Sequence, residues 1–200
     1  MLGSITPLGE RGRGRRWGVT TAWFFVGSVT GGALVGGALG TLGEVALTDG
    51  VTLDSPTRIA ALGIFALIAV AFDTHMIPWE LPGPRRQVNE TWLYTYRGWF
   101  YGLSFGLQLG AAITTFVTTA AVYVLLVGAF LSGDPLVGAL VGGTFGLVRG
   151  VTLLPTVRVV TTQALGRQAA LIEALDEPSR IATIGAEAAA AIAAALLVCL

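Results

Sequence analysis

The sequence predicts an all-α fold, a polytopic membrane bundle of about five transmembrane helices. Of its 200 residues, 54% are hydrophobic and 12% are charged, whereas soluble domains carry roughly 25% charged residues. Charge-free stretches long enough to cross a bilayer recur along the chain. In three of them a small residue recurs at every fourth position, a spacing that lets membrane helices approach closely. We therefore treat residues 1–200 as a single membrane domain.

The charge-free windows predict spans at 19–43, 57–75, 99–131, 136–156 and 181–200. The first window is much longer than the roughly 7–15-residue apolar core of a signal peptide, so we interpret it as a retained span. The second reaches spanning length by including Asp73. The third is too long for one upright helix, which predicts a long tilted or kinked helix. The sequence Gly133-Asp134-Pro135 predicts a tight turn before the fourth.

The distribution of arginine predicts the orientation of the bundle. With the N-terminus inside, ten of the twelve basic residues lie in cytoplasmic segments and only Arg58 lies in an opposite loop. The positive-inside rule then favours N-inside, C-outside. Two cytoplasmic segments have an interfacial character. Segment 76–97 is rich in proline and tryptophan, and segment 157–180 has the pattern of an amphipathic helix on the membrane. Ordinary loops are the alternative for both.

The small residues form three glycine zippers, and these predict where the helices pack. Two of them contain the same hexapeptide, GALVGG, at 32–37 and 138–143. In the predicted topology the two copies run in opposite directions, as in an inverted repeat; a chance match between glycine-rich helices is the alternative. The zipper residues are Ser28, Gly32, Gly36 and Gly40; Gly98, Gly102, Gly106 and Gly110; and Gly138, Gly142, Gly146 and Gly150.

The GALVGG repeat, the stretch GLVRGVTLLP at 146–155 and the small size of the chain resemble the CcdA/DsbD transmembrane family of thiol-reductant carriers. The resemblance implies an architecture of inverted helix triplets. It does not imply the family's redox chemistry, because that family uses a pair of intramembrane cysteines. This chain has one cysteine, Cys199.

Charged side chains inside spans are the first candidates for function, because each costs about 2.5–3.5 kcal/mol on insertion scales. Asp73, Arg149 and Glu187 all fall toward the predicted cytoplasmic side, at depths that allow one ion network. The alternative places Asp73 and Glu187 among the headgroups, with Arg149 extending toward them.

A polar stripe in the third span is the second candidate. Gln108, Thr115, Thr119 and Tyr123 follow one face of a helix. Such a stripe can line a narrow hydrated path for a small solute or ion. It can equally bridge neighbouring helices by hydrogen bonds.

The sequence favours transport over catalysis. It contains no P-loop, GxSxG or HExxH motif, and too few His, Met and Cys residues to suggest a metal or cofactor. The balanced charge gives no reason to expect nucleic acid as a partner. We therefore expect a non-enzymatic transporter or carrier of a small solute or ion in a bacterial plasma membrane. Its partners would be the lipid bilayer and further copies or other membrane subunits. The alternative is a non-catalytic subunit or assembly factor of a larger membrane complex.

Overall fold

The computed structural model describes residues 5–47, 54–79, 81, 96–112 and 119–199. These residues form helices joined by turns, and no strand occurs in this part of the chain. The α-helices are α1 (Pro7–Gly12), α2 (Trp17–Val45), α3 (Ser55–Asp73), α4 (Gly98–Ala111), α5 (Ala121–Ser132), α6 (Pro135–Val151) and α7 (Thr162–Cys199), with a 3₁₀ helix, Leu154–Arg158, after α6.

The predicted all-α membrane bundle is confirmed. In the described residues four helical segments are long and apolar enough to cross a membrane: Trp17–Val45, Ser55–Asp73, Pro135–Arg158 and Thr162–Cys199. Helix α5 is a fifth, shorter apolar helix. Helices α3 and α6 each begin with a proline near the first position and an aspartate at the N-cap. The side chain of Asp54 accepts a hydrogen bond from the backbone N–H of Thr57. The side chain of Asp134 accepts hydrogen bonds from the backbone N–H groups of Leu136 and Val137.

The third predicted span, a long tilted or kinked helix at 99–131, contains a break. Helix α4 ends at Ala111, because Ala112 adopts the left-handed conformation with φ of 58°. A residue with a Cβ rarely adopts this conformation, and it interrupts the α-helical hydrogen-bond pattern. Helix α5 begins at Ala121. In its described residues the span therefore contains two separate short helices, α4 and α5.

The fifth span also differs from its prediction. The structure continues the expected interfacial segment 157–180 directly into the span at 181–200, as the single 38-residue helix α7. At 1.5 Å per residue this helix is about 57 Å long, well beyond the roughly 30 Å hydrocarbon core. The helix is therefore longer than one crossing of the hydrocarbon core requires, and the interfacial position of its first half stays a prediction. Of the other interfacial segment, 76–97, residues 80 and 82–95 lie outside the described part of the chain.

Helix α2 is the centre of the bundle, with α4 parallel to it on one side and α6 antiparallel on the other. Helices α3 and α7 pack against each other, and α5 joins the two groups by contacting α2, α3 and α6. At the N-terminal end of α2, the short helix α1 contacts the 3₁₀ helix through a hydrogen bond from the backbone N–H of Leu8 to the carbonyl of Val159 (3.1 Å).

Candidate functional site

Arg149 of α6 donates a hydrogen bond to the C-terminal end of α4. Its Nη1 atom donates a hydrogen bond of 3.0 Å to the carbonyl oxygen of Leu109, and its guanidinium lies 5.4 Å from the ring centre of Phe145. Leu109 is in the last turn of α4, at the negative end of the helix dipole, and its carbonyl also accepts a long hydrogen bond of 3.4 Å from the backbone N–H of Ala112. A cation there stabilises the helix end. Arg149 therefore supports the interruption of the third span.

Asp73 makes the complementary contact at the N-terminal end of α5. Its Oδ1 atom accepts a hydrogen bond of 2.9 Å from the backbone N–H of Ala120, the N-cap residue of that helix. A carboxylate is favoured there by the unpaired N–H groups and the positive end of the dipole. The two half-helices of the third span are thus capped by opposite charges from α6 and α3.

Glu187 of α7 lies beside Asp73. Its side chain is 3% exposed, that of Asp73 is 7% exposed, and the two carboxyl groups are within hydrogen-bonding reach of each other. Arg149 takes no part in this pair, since its hydrogen bond goes to Leu109. The structure therefore brings together only two of the three residues for which the sequence suggested an ion network. Depth along the membrane placed the three residues at similar levels but could not show which helices are neighbours.

The polar stripe is divided by the end of α4. Gln108 lies on α4 and Tyr123 on α5, and both are half-buried, as is Thr119. Thr115 lies outside the described residues. Because Ala112 ends the helix, the spacing that aligned these side chains on one helical face does not apply across it. A path through the stripe stays a prediction.

The glycines of α2 and α6 bring the two backbones into direct contact. A Cβ at Gly32 would collide with the carbonyl oxygen of Gly142, and one at Gly36 with that of Gly138. The same holds for Gly40 against the carbonyl of Asp134. At these three positions of α2 the interface has no room for a Cβ atom.

Ser28 joins α2 to both of its neighbours. The Ser28 hydroxyl donates a 2.7 Å hydrogen bond to the carbonyl of Gly146. A Cβ at Gly110 or at Gly146 would collide with the backbone carbonyl oxygen of Ser28. Along α4, Gly106 faces the carbonyl of Phe24. The remaining members of the predicted packing set contact side chains or backbone of α2: Gly98 and Gly102 meet Thr20, and Gly150 meets the ring of Phe25.

Sequence reasoning missed a buried polar cluster at the N-terminal end of α2. Glu10 of α1 is fully buried and accepts hydrogen bonds from Arg13 Nη2 (2.8 Å) and Thr20 Oγ1 (2.7 Å). Tyr101 of α4 is 1% exposed and lies close enough to Glu10 for an electrostatic interaction with its carboxylate. The signal in the sequence is Glu10 itself, an acidic residue immediately before the run of arginines that predicts the orientation. The cluster holds the N-terminal segment against the bundle.

A cavity of about 460 Å³ lies between α5 and α6. Five of its six lining side chains are apolar, and the sixth is Thr144; the others are Leu125, Leu140, Val141, Phe145 and Val148. Such a lining suits an acyl chain or an apolar side chain better than a polar solute.

Comparison with known proteins gives a consistent result. The chain is similar to proteins described as methylamine utilization protein MauF. It is 30% identical over 175 residues to that of Paracoccus versutus, covering 82% of this chain and 62% of the relative. It is 29% identical over 153 residues to that of Methylophilus methylotrophus, covering 74% and 52% respectively. The chain therefore spans between about half and 62% of the length of these curated relatives.

No family model matches the chain, and no solved structure matches it. The similarity to the MauF proteins corrects the resemblance to the CcdA/DsbD family. That resemblance was based on the GALVGG repeat, the stretch GLVRGVTLLP at 146–155 and the small size of the chain. Glycine-rich sequence is a general property of closely packed membrane helices, so these features did not specify a family.

Proposed function

We propose that this protein is a non-catalytic component of a bacterial plasma-membrane assembly that serves the use of methylamine. The observation that carries the proposal is similarity along 82% of the chain to a protein named for methylamine utilization. Because the chain spans 62% of that relative, the role of the whole relative is taken here as a hypothesis for this chain.

The packing of α2 supports a structural role over transport. The sequence suggested a solute path at the interface of the first, third and fourth spans. Along α2 and α6, however, backbone meets backbone at Gly32, Gly36 and Gly40. An interface too tight for a methyl group is too tight for water or a hydrated ion. The main sequence-based interpretation, a transporter, is therefore not supported, and its alternative is favoured.

The intramembrane charges support the same conclusion. Arg149 and Asp73 each bind a helix end of the third span. Charged residues in membrane helices mark functional sites by default, but here both have a sufficient structural reason. They stabilise an interrupted span.

The long helix α7 provides a surface for partner proteins. Its residues 169–182 are all exposed, including Leu171, Ile172 and Leu175, which are 56%, 52% and 51% exposed. Exposed apolar side chains grouped on a surface are typical of protein-protein interaction sites.

Deletion of the gene tests the proposal. The deletion strain should lose growth on methylamine as sole nitrogen source, grow normally on ammonium, and regain methylamine growth when the wild-type gene is restored. Uptake of labelled methylamine into the deletion strain should stay normal, because the protein does not carry it. Normal growth on methylamine would overturn the proposal. So would lost uptake together with transport by the purified protein in liposomes.

A further inference from the structure

The contact between Asp73 and Glu187 contains more acceptors than donors. Asp73 Oδ1 is paired with the N–H of Ala120. Asp73 Oδ2 and both carboxyl oxygens of Glu187 have no hydrogen-bond partner in the described part of the chain. Three buried carboxyl oxygens without a partner therefore lie on two helices that pack against each other, and the side chain of Glu187 interacts with that of Asp73.

No positive side chain balances this pair in the described elements packed around it. Arg149 is bonded to Leu109. On α3 the nearest arginine is Arg58, 15 residues or about 22 Å along the helix. On α7 the nearest charged residues are Arg180 and Glu177, which are exposed and paired with each other at 3.7 Å.

Two other titratable groups lie close in sequence or on a packed helix, and neither is a buried positive charge beside the pair. Tyr123 is the titratable residue of α5, and a tyrosine side chain cannot supply a positive charge. His75 follows α3 by two residues and is exposed. The charged group that acts on Glu187 is Asp73.

Two adjacent buried carboxylates without a counter-charge are strongly unfavourable, because repulsion adds to the loss of hydration. A proton between them removes one charge and supplies the missing donor, as in carboxyl pairs that share a proton. Asp73 is the natural carboxylate of the pair, since the N-terminal end of α5 favours negative charge at that position. Glu187 has no such contact.

We propose that Asp73 and Glu187 form a proton-binding site that links α3 to α7. In the bound state Glu187 is the carboxylic acid and donates its O–H to Oδ2 of Asp73, which is the carboxylate. The proton comes from water and returns to water when it dissociates. Its loss leaves two facing carboxylates and weakens the contact between the two helices. This inference is independent of the proposed function.

Infrared spectroscopy of the full-length protein in liposomes tests the site at neutral pH. The wild-type spectrum should contain the C=O stretching band of a buried carboxylic acid. Glu187→Gln should abolish the band while preserving the fold, because the amide N–H can donate to Asp73 in place of the acid. Asp73→Asn should keep the band and shift it, because the acceptor changes from a carboxylate to an amide. Glu177→Gln, an exposed change on the same helix, should leave the band unaltered.

Absence of the acid band in the wild-type protein at neutral pH would overturn the proposal, whatever the variants do. A band that survives Glu187→Gln would also overturn it, because the proton would then lie elsewhere. Spectra with Na⁺, K⁺ or methylammonium added should match the spectrum without them. If any of these cations removed the band, the pair would be a cation site and the proton assignment would be wrong.

Discussion

Arg149 on α6 and Leu109 on α4 are joined across the bundle by a 3.0 Å hydrogen bond from a guanidinium to a backbone carbonyl. The bond places a positive charge at the point where α4 ends inside a span. Removal of the guanidinium leaves that helix end without its charged partner. The interruption of the third span therefore depends on a side chain from a different helix.

We expect Arg149→Ala to lower the free energy of unfolding by about 1.5–3 kcal/mol, the usual contribution of a hydrogen bond to a charged group. The measurement is reversible unfolding in mixed detergent micelles. Arg167→Ala, an exposed change on α7, is the control and should have little effect. Equal stability of the two variants would show that Arg149 does not support the helix end.

The contact between α2 and α6 predicts an effect of a single methyl group. Gly142→Ala places a Cβ against the carbonyl oxygen of Gly32. Backbone cannot move aside as a side chain can, so we expect a loss of about 1–3 kcal/mol, typical of overpacking. Thermal unfolding in detergent measures it.

The matched control is Gly185→Ala on α7, where a Cβ meets no atom within 4 Å. There alanine should stabilise the helix, by up to about 0.8–1 kcal/mol. If both variants were stabilised, the close packing of α2 and α6 would be wrong.

The sequence predicted the helical membrane bundle, because charge-free length and small-residue spacing are local properties. The break at Ala112 was not predictable in this way. It is supported by Arg149 and Asp73, which are distant in sequence from the residues they cap. The same two side chains were correctly singled out as unusual, yet their partners were misassigned because pairing depends on which helices are neighbours. Glu10 escaped notice because its burial depends on α1 folding back onto the end of α2.

The buried cluster around Glu10 should hold the N-terminal segment in place. Thr20→Val removes the 2.7 Å hydrogen bond to Glu10, and an unsatisfied buried acceptor costs about 1–3 kcal/mol. We therefore expect faster trypsin cleavage at the arginines between residues 11 and 16. Thr41→Val is the control, since Thr41 is exposed and bonds to the Gly37 carbonyl of its own helix. Cleavage at the wild-type rate in the Thr20 variant would contradict the role given to the cluster.

The N-cap of α3 should make stability depend on pH in the acid range. Hydrogen bonds from the side chain and backbone N–H of Thr57 lower the pKa of Asp54 below its ordinary value of 3.8. A carboxyl whose pKa is lower in the folded state adds stability above the unfolded pKa, and this stability is lost as pH falls through the folded pKa. Asp54→Asn keeps a capping side chain that does not titrate.

The melting temperature of the wild-type protein should therefore fall more than that of the Asp54→Asn variant between neutral pH and pH values below about 3.8. Parallel melting curves over this range give the comparison. Identical pH dependence of the two proteins would show that protonation of Asp54 is not linked to unfolding.

The central claim is that the protein acts as a non-catalytic part of a membrane assembly for methylamine use. Its most direct test is purification in mild detergent from the source bacterium grown on methylamine, followed by mass spectrometry of the intact particle. We predict a stoichiometric second protein whose own deletion also removes growth on methylamine. A particle made only of this chain, and able to move methylamine across liposomes, would contradict the account.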